Sequence, residues 1–271
     1  LIFFKMNIFC LVFFCFCLIT FNINALERKI IIASTTSTYD SGLLKYLNKH
    51  FMDKHEINVQ TIVQGTGQAI RTAKDGNVEL LLVHHEESEI EFMNNDYGLK
   101  RFNLMYNDYV IIGPKEDLDK CQNIQNKLKN IVKNNLKFIS RGDDSGTHKK
   151  ELELWLLFNL DPEKFSDNYL SVGQGMGHTL LMANEMRAYT ISDRSTWIAF
   201  KKKENLKIIC ENKPPLFNQY GIILVNPELN TSLNIKDAEI YLNWLISEEG
   251  KFLINNYKIN DQQLFYFNYD K

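Results

Sequence analysis

The sequence has almost no net charge and no long run of Lys and Arg. Its 271 residues carry 31 Lys or Arg against 33 Asp or Glu, which gives a formal net charge of −2. The run Lys201-Lys202-Lys203 is too short to indicate more than a solvated turn. The composition therefore gives no support for nucleic acid as a partner. Internal repeats, low-complexity tracts and long linkers are also absent.

Cysteine is scarce outside the N-terminal segment. Three of the five cysteines lie among the first 17 residues, which leaves Cys121 and Cys210. No Cys-x-x-Cys pattern occurs, so neither a zinc site nor a dithiol redox motif is indicated. In an oxidising compartment the two remaining cysteines could form one disulfide, and two free thiols fit the sequence equally well.

The N-terminal segment is the one long hydrophobic run. Lys5 precedes an apolar stretch over residues 8–19, and the small residue Ala25 follows. This order is typical of a secretory signal, whereas a membrane span requires a longer apolar run. We expect residues 1–25 to be a cleaved signal peptide, which predicts a periplasmic or otherwise extracytoplasmic protein. A membrane anchor is the alternative.

The remainder alternates between short apolar runs and segments with helical periodicity. Strands are predicted at residues 29–33, 57–63, 80–83, 109–112, 138–139, 189–191, 208–209 and 222–225. Helices are predicted between them, one of them beginning at an N-cap of Asp40 or Ser41. Such alternation predicts an α/β fold with mainly parallel sheets covered by helices. Ligands of these folds bind where strands end and helices begin.

Four loops at such positions are rich in small residues. They span residues 34–38, 65–68, 140–148 and 173–177. The third is the most informative, because Arg141, Ser145 and Thr147 stand directly before a helical pattern. Unpaired N–H groups and the helix dipole favour an anion there, and an arginine fork adds permanent charge. An ordinary capped helix would use the same residue types. Together the four loops predict a cage of donors.

The sequence contains no complete enzymatic motif among those considered. The glycines of 173–177 miss the dinucleotide fingerprint by one position, and neither a P-loop nor a nucleophile elbow surrounds Ser145. His148 is badly placed to serve Ser145 as a base. The segment His84-His85-Glu86-Glu87 suggests a metal cluster, but adjacent side chains diverge, so we interpret it as a solvated loop. The prediction is a non-enzyme without cofactor or resident metal.

Several segments together resemble one family, the tungstate-binding component of a tungstate ABC transporter. The similarity covers nearly all of residues 29–257 and is most extensive over 140–155. The segments that carry it are residues 33–43, 65–69, 105–109, 140–155, 173–177, 192–194 and 221–227.

The resemblance implies a two-lobed extracytoplasmic binding protein of type II topology that closes on its anion. It places lobe 1 at residues 27–107 plus 221–271 and lobe 2 at 108–220. Its partners would be tungstate or molybdate and the permease and ATPase subunits of the transporter, and we expect a monomer. The sequence does not separate tungstate from molybdate. Another oxyanion such as phosphate or sulfate, or a secreted serine hydrolase, is the alternative.

The resemblance also implies the binding residues. Its first hydroxyl motif falls on Thr35, Thr36 and Ser37. Its second-lobe ligands fall on Arg141, Ser145 and Thr147. Independently of the resemblance, the glycine loops offer accessible backbone N–H donors, and we therefore add the amides of Gly67, Gly146, Gly175 and Gly177.

The chain departs from the family pattern at two places. Ser34 stands where the family usually has threonine, a change expected to affect packing more than donation. His84-His85-Glu86 replaces a segment in which Ala or Asp and Pro are more frequent. We expect that change to alter only the surface of one loop.

Asp143 is the awkward residue of the predicted site. The same turn resembles that of phosphate-binding proteins, where an aspartate accepts the proton of hydrogen phosphate. Tungstate has no proton to donate, so a carboxylate facing it would repel it. We expect Asp143 to turn away from the anion and to brace Arg141 or nearby amides.

Overall fold

The computed structural model describes residues 28–119, 121–212 and 214–270, so the predicted signal peptide lies outside the described residues. None of the helices in these ranges combines the length and apolar character needed to span a bilayer. The strands are β1 (Lys29–Thr35), β2 (Asn58–Gln64), β3 (Leu80–Val83), β4 (Gly98–Pro114), β5 (Phe138–Ser140), β6 (Tyr169–Ser171), β7 (Thr190–Asp193), β8 (Leu206–Cys210), β9 (Phe217–Val225), β10 (Lys258–Ile259), β11 (Gln262–Gln263) and β12 (Tyr266–Phe267).

Ten α-helices are formed by these described ranges. They are α1 (Thr36–Asp40), α2 (Leu43–His55), α3 (Thr66–Lys74), α4 (Glu86–Asn94), α5 (Ile124–Lys133), α6 (Gly146–Leu157), α7 (Met176–Met186), α8 (Arg194–Ala199), α9 (Ile235–Leu245) and α10 (Glu248–Asn256). Two 3₁₀ segments cover Pro162–Asn168 and Pro227–Leu229.

The main sheet is mixed. Strand β1 pairs in parallel with β2 and β3, and β5 pairs in parallel with β6, in agreement with the predicted alternation. The two longer strands change the character of the sheet, because β9 runs antiparallel to β3 and β4, and β4 runs antiparallel to β7 and β8. The α/β fold is confirmed, but among the described residues six antiparallel strand pairs outnumber the three parallel pairs.

Strand β4 serves two parts of the molecule. Its first half pairs with β9 from Gly98↔Val225 to Asp108↔Phe217. Its second half, from Tyr109 onward, pairs with β7 and β8 instead. The 17 residues of β4 therefore run from one sheet region into the next without a break.

Buried apolar side chains separate into two bodies. One contains clusters drawn from residues 30–105 and 220–265, and the other contains clusters drawn from residues 109–216. Within each body, neighbouring residues of one strand face different clusters. Ile32 and Ala33 divide in this way in β1, as Val110 and Ile111 do in β4. This alternation follows from the pleat of a strand, and it shows helices covering both faces. The molecule is two-lobed.

The four small-residue loops all lead into helix N-termini, as predicted. Helices α1, α3, α6 and α7 begin after β1, β2, β5 and β6 respectively. Two local predictions are wrong. Residues 34–38 are not a loop, because β1 continues to Thr35 and α1 follows at once. The N-cap of α2 is Gly42, in the left-handed region at φ 78°, instead of Asp40 or Ser41.

Cys121 and Cys210 form a disulfide, which decides the alternative that the sequence left open. The bond joins the segment before α5 to the end of β8, across 89 residues of sequence. Cys210 is buried in the same apolar cluster as Trp155 and Leu128. The bond therefore fastens the core of the second body.

Glu151 gives the second body a pH-dependent stability. Its side chain is buried in α6 and accepts hydrogen bonds from Tyr169 (2.6 Å) and from the Trp155 indole (3.2 Å). Burial raises the pKa of Glu151 from 4.5 to about 7, although these hydrogen bonds oppose the rise. The folded protein thus holds this proton more tightly than the unfolded chain. The contribution to stability is complete below pH 4.5 and is lost as the pH rises through 7.

We expect Glu151→Gln to flatten this pH dependence. Between pH 5 and 8 the unfolding free energy of the parent protein should fall relative to that of the variant by about 2 kcal/mol, since one pKa unit corresponds to about 1.4 kcal/mol. Urea unfolding at several pH values measures the difference. Glu185→Gln, on the exposed face of α7, is the control. Parallel curves for the Glu151 variant and the parent would contradict the prediction.

Candidate anion site between the lobes

The turn after β5 places a guanidinium and a carboxylate against each other. Arg141 is only 3% exposed, and its Nε and Nη2 donate to Asp143 Oδ2 at 3.1 and 2.6 Å. The other carboxylate oxygen, Oδ1, accepts from the Ser145 backbone N–H at 3.3 Å. The predicted bracing contacts of Asp143 are confirmed. They hold Arg141 in one orientation at the start of α6.

The N-terminus of α6 supplies further donors. Ser145 is the N-cap, and its hydroxyl oxygen accepts from the His148 N–H at 3.2 Å. A hydroxyl that accepts one bond still has its own proton to donate. The Thr147 hydroxyl is buried and has no partner among the described residues. Because a buried polar group without a partner is costly, this hydroxyl indicates a position where an acceptor belongs.

The arrangement of His148 argues against a serine nucleophile. Its ring Nδ1 accepts from the Asp144 backbone N–H at 3.2 Å and does not face the Ser145 hydroxyl. Burial lowers the pKa of His148. Across the described ranges no base contacts Ser145 Oγ, so the geometry is that of a capped helix and not of a catalytic pair.

The first-lobe hydroxyls lie where β1 meets α1. Thr35 Oγ1 is 3.1 Å from Ser37 Oγ and 2.8 Å from Thr38 Oγ1. Thr36 is half-buried, and its hydroxyl has no side-chain hydrogen bond within the described part of the chain. Ser34 lies apart from the cluster, because its hydroxyl donates to the Leu82 carbonyl at 2.9 Å. This hydrogen bond joins β1 to β3, and the effect of serine in place of threonine on packing stays a prediction.

The first and second lobes touch directly at the helix N-termini. The Gly146 N–H donates to Thr66 Oγ1 at 2.9 Å, which joins the start of α6 to the start of α3. Gly67 faces Asp144 so closely that an added Cβ would lie 2.2 Å from its Oδ2. Three further pairs cross the same boundary: Arg71 with Asp144, Ser88 with Lys149, and His85 with Glu153. Two of the four predicted loops, residues 65–68 and 140–148, are thereby brought together.

The prediction that His84 lies in a solvated loop is wrong. His84 is 5% exposed and lies between the lobes. Its Nε2 is 3.1 Å from Ser37 Oγ, and its Nδ1 is 2.9 Å from the Tyr109 hydroxyl and 3.0 Å from Asn218 Oδ1. Burial lowers the pKa of His84 to about 4, so the ring is neutral at pH 7. His84 follows the C-terminal end of β3, a position that packing between the two lobes buries.

His85 points elsewhere, as expected for adjacent residues. It caps α4 by accepting from the Ser88 N–H at 3.2 Å, and its Nε2 contacts Glu153 at 3.1 Å. Within the described residues no group of three or more His, Cys, Asp or Glu side chains could hold a metal ion. Glu86 begins a helix instead of continuing a loop.

The fourth predicted loop is tied to the third but is more open. The Gly173 N–H donates to the Arg141 carbonyl at 2.8 Å. Gly175 is half-buried and Gly177 is exposed, and a Cβ added at either would meet no atom within 4 Å. The participation of these two glycines stays a prediction.

A cavity of about 670 Å³ adjoins the candidate site and shares Gly146 with it. His84, Tyr109 and Gly146 line it, together with the acidic side chains Glu87 and Glu153. Thr36, Arg141 and Ser145 do not line this cavity. Carboxylates disfavour a dianion, so the donor-rich helix N-termini are the better candidate for an anion.

The contact at Gly146 makes a prediction about closure. A Cβ at this position would lie 2.8 Å from His84 Cε1 and 2.9 Å from Thr66 Oγ1, both in packed side chains. We expect Gly146→Ala to weaken anion binding about fivefold by keeping the lobes apart, a cost of about 1 kcal/mol. Gly65→Ala is the matched control, because a Cβ there would lie 4.0 Å from the Asp143 carbonyl oxygen, which is an ordinary contact. Calorimetric titration of both variants tests this, and equal affinities would refute it.

Sequence reasoning missed four residues of the boundary. Thr66 lies inside a predicted loop, and His84 directly follows β3, so position alone could have identified both. Tyr109 and Asn218 lie on the long strands β4 and β9, where no local pattern marks them. Their place depends on the pairing of distant segments.

Comparison with known proteins agrees with the two-lobed structure. Residues 22–249 match the family described as PBP superfamily domain. The tungstate-binding protein TupA of Peptoclostridium acidaminophilum is 47% identical over 236 residues, which cover 85% of this chain and 82% of that protein. TupA of Campylobacter jejuni is 34% identical over 84% of this chain and 87% of its own length.

Two solved structures are similar over most of their length. The tungstate ABC transporter structure from Geobacter sulfurreducens has a TM-score of 0.78 and 40% identity, covering 85% of this chain and 99% of that one. Tungstate-binding protein TupA from Desulfovibrio alaskensis also has a TM-score of 0.78, with 36% identity, covering 90% and 100%. With its two lobes and its donor-lined boundary, this chain belongs to the PBP superfamily and, within it, to the family of the tungstate-binding proteins of ABC transporters.

Proposed function

We propose that the protein captures tungstate, and also molybdate, between its lobes and delivers the anion to an ABC permease and its ATPase. The observation that carries this proposal is the meeting of donors at the boundary. Arg141, Ser145 and the unpartnered Thr147 hydroxyl lie at the start of α6, where the Gly146 N–H contacts Thr66 of the other lobe, and Ser37 reaches the same boundary through His84. The names of the related proteins support the same ligand.

The chemistry of the ligand matches a donor-only site. Tungstate at neutral pH is a doubly charged tetrahedron whose oxygens only accept hydrogen bonds. A hydrogen bond with a charged partner contributes about 1.5–3 kcal/mol net, and exclusion of water strengthens it. We assign the donors, through hydroxyl, guanidinium or backbone N–H groups, to Thr35, Thr36, Ser37, Gly67, Arg141, Ser145, Gly146, Thr147, Gly175 and Gly177.

Asp143 is the element of selectivity in this proposal. Both of its oxygens already accept hydrogen bonds, from Arg141 and from the Ser145 N–H. A protonated oxyanion such as hydrogen phosphate needs an acceptor inside the site, and an occupied carboxylate serves it poorly. A fully deprotonated anion needs no acceptor. The arrangement therefore favours tungstate and molybdate over phosphate.

The lobes proposed for closure are residues 27–107 plus 221–271 and residues 108–220. Support comes from the two long strands, since β4 and β9 pair antiparallel and both pass this boundary. We further propose that the protein acts as a monomer outside the cytoplasm after removal of residues 1–25. The Cys121–Cys210 disulfide supports that location, because disulfides persist in oxidising compartments.

Isothermal titration against tungstate, molybdate, sulfate and phosphate tests the proposal. We expect the tightest binding for tungstate or molybdate, weaker binding for sulfate and the weakest for phosphate. The same titrations on a Thr147→Val variant, which keeps the shape of the side chain but removes the buried hydroxyl, should show a lower affinity for tungstate and molybdate. Tighter binding of phosphate than of tungstate would overturn the proposal.

A further inference from the structure

We propose that His84 is a positioning residue for anion capture, because its ring joins the Ser37 hydroxyl of the first lobe to Tyr109 of the second. The inference rests on the proposed function and adds a residue outside the donor set. Neither the hydroxyl motif nor the arginine turn contains His84. It acts through the groups that it holds, and no contact of its own with the anion is required.

The hydrogen-bond partners of His84 indicate the direction of each bond. Asn218 Nδ2 donates to Asn107 Oδ1 at 2.6 Å, so the Asn218 oxygen is the atom that faces His84 Nδ1 at 3.0 Å. An amide oxygen only accepts, and the proton of the neutral ring therefore lies on Nδ1. Nε2 then has a lone pair directed at Ser37 Oγ, 3.1 Å away, and accepts the Ser37 proton.

This arrangement links the two halves of the candidate site. On one side, Ser37 is held in the segment that also carries Thr35 and Thr36. On the other, the Tyr109 hydroxyl contacts both His84 Nδ1 (2.9 Å) and the Gly146 carbonyl at the start of α6 (3.5 Å). Separation of the lobes would remove α6 from the Tyr109 hydroxyl, and the ring would keep its contacts with Ser37, with Tyr220 of the first body and with Asn218 on β9. His84 thus orients the first-lobe hydroxyls fully only when the lobes are together.

The burial of the ring supports a specific role. His84 stacks on Tyr220 with ring centroids 4.9 Å apart and an interplanar angle of 26°. Gly146 leaves no room between the ring and α6, since even a Cβ there would lie 2.8 Å from Cε1. The ring is therefore confined to one position, with both nitrogens engaged. Because the ring contacts both lobes, a movement of one lobe changes the hydrogen bonds that the ring makes with the other.

Three variants test the inference: His84→Ala, His84→Gln and Tyr109→Phe. For each, the tungstate dissociation rate is measured by stopped-flow fluorescence, and the melting temperature of the ligand-free protein is measured separately. We expect His84→Ala to raise the dissociation rate at least about fivefold, in line with the loss of its buried hydrogen bonds to Ser37, Tyr109 and Asn218. His84→Gln can still present an acceptor to Ser37, so its effect should be smaller. His50→Ala, an exposed histidine on α2, is the control.

A double-mutant cycle separates positioning from stability. If His84 works by joining Ser37 to Tyr109, the double variant His84→Ala/Tyr109→Phe should dissociate no faster than His84→Ala alone. A merely structural residue would lower the melting temperature while leaving the dissociation rate unchanged. Additive effects in the cycle, or a rate within twofold of the parent for His84→Ala, would overturn the inference.

The outcomes also separate this inference from the proposed function. If the parent protein does not bind tungstate, the proposed function fails, whatever the variants do. If the parent binds and the His84 variants match it, only the role of His84 fails. Should His84→Ala not fold, His84→Gln and Tyr109→Phe decide: the inference holds if both raise the dissociation rate and falls if neither does.

Discussion

Replacement of Arg141 by alanine is expected to weaken tungstate binding by about a hundredfold or more, and replacement by lysine by about tenfold. The guanidinium is nearly fully buried and uses two of its N–H groups to hold Asp143. Alanine removes the permanent charge and leaves the carboxylate without its main partner beside a dianion. Lysine keeps the charge but lacks the planar fork that holds Asp143 through Nε and Nη2 together. Calorimetric titration measures both losses.

Arg187→Lys is the matched control for this experiment. Arg187 is exposed and pairs with Glu116 on the surface, so its replacement should leave the affinity within about twofold. Circular dichroism establishes that each variant is folded before titration. An Arg141→Lys protein with the affinity of the parent would place Arg141 outside the site. A loss that is equal for the Arg187 and Arg141 variants would show a general electrostatic effect instead.

Reduction or removal of the Cys121–Cys210 disulfide is expected to lower the unfolding free energy by about 4 to 5 kcal/mol. The bond closes a loop across 89 residues, and cross-links of that length constrain the unfolded chain by about this amount. Urea unfolding of the oxidised protein, the reduced protein and the Cys121→Ala/Cys210→Ala variant measures the change. The reduced protein has the parent sequence and so isolates the bond itself from the loss of two side chains.

The effect on binding should differ from the effect on stability. The disulfide joins the segment before α5 to β8 and touches none of the proposed donors. At low temperature and without denaturant, the folded variant should bind tungstate within about twofold of the parent. A shift in unfolding below about 1 kcal/mol for the reduced protein would contradict the loop-closure estimate. A large loss of affinity in a folded variant would show that the bond shapes the site.

The sequence predicts many individual strands and helices of this fold because interactions between neighbouring residues determine them. The strand at Leu80–Val83 is a short buried apolar run, and the helix Ile235–Leu245 has its apolar residues on one face. Strand β4 is different. Only its last part is an apolar run, and the preceding residues become a strand because β9 lies beside them. No periodicity within 98–108 could supply that information.

The candidate site divides in the same way. Arg141, Ser145 and Thr147 are recognisable from the sequence because capping residues and a helix start are neighbours in the chain. The engagement of Asp143 could be anticipated from charge, since its partner is two residues away. The sequence could not predict how deeply these groups are buried or which segment of the other lobe lies next to them. His84 was placed at the surface for that reason.

The amino-acid sequence was sufficient to predict the alternation of strands and helices, the four helix N-termini rich in donors and the family to which the chain belongs. These depend on interactions over a few residues, where propensity and capping are decisive. The mixed direction of the sheet, the pairing of Cys121 with Cys210 and the burial of His84 between Ser37 and Tyr109 became known from the three-dimensional structure. Each of these joins segments far apart in the chain. Their free energy comes from packing that exists only once the lobes have formed.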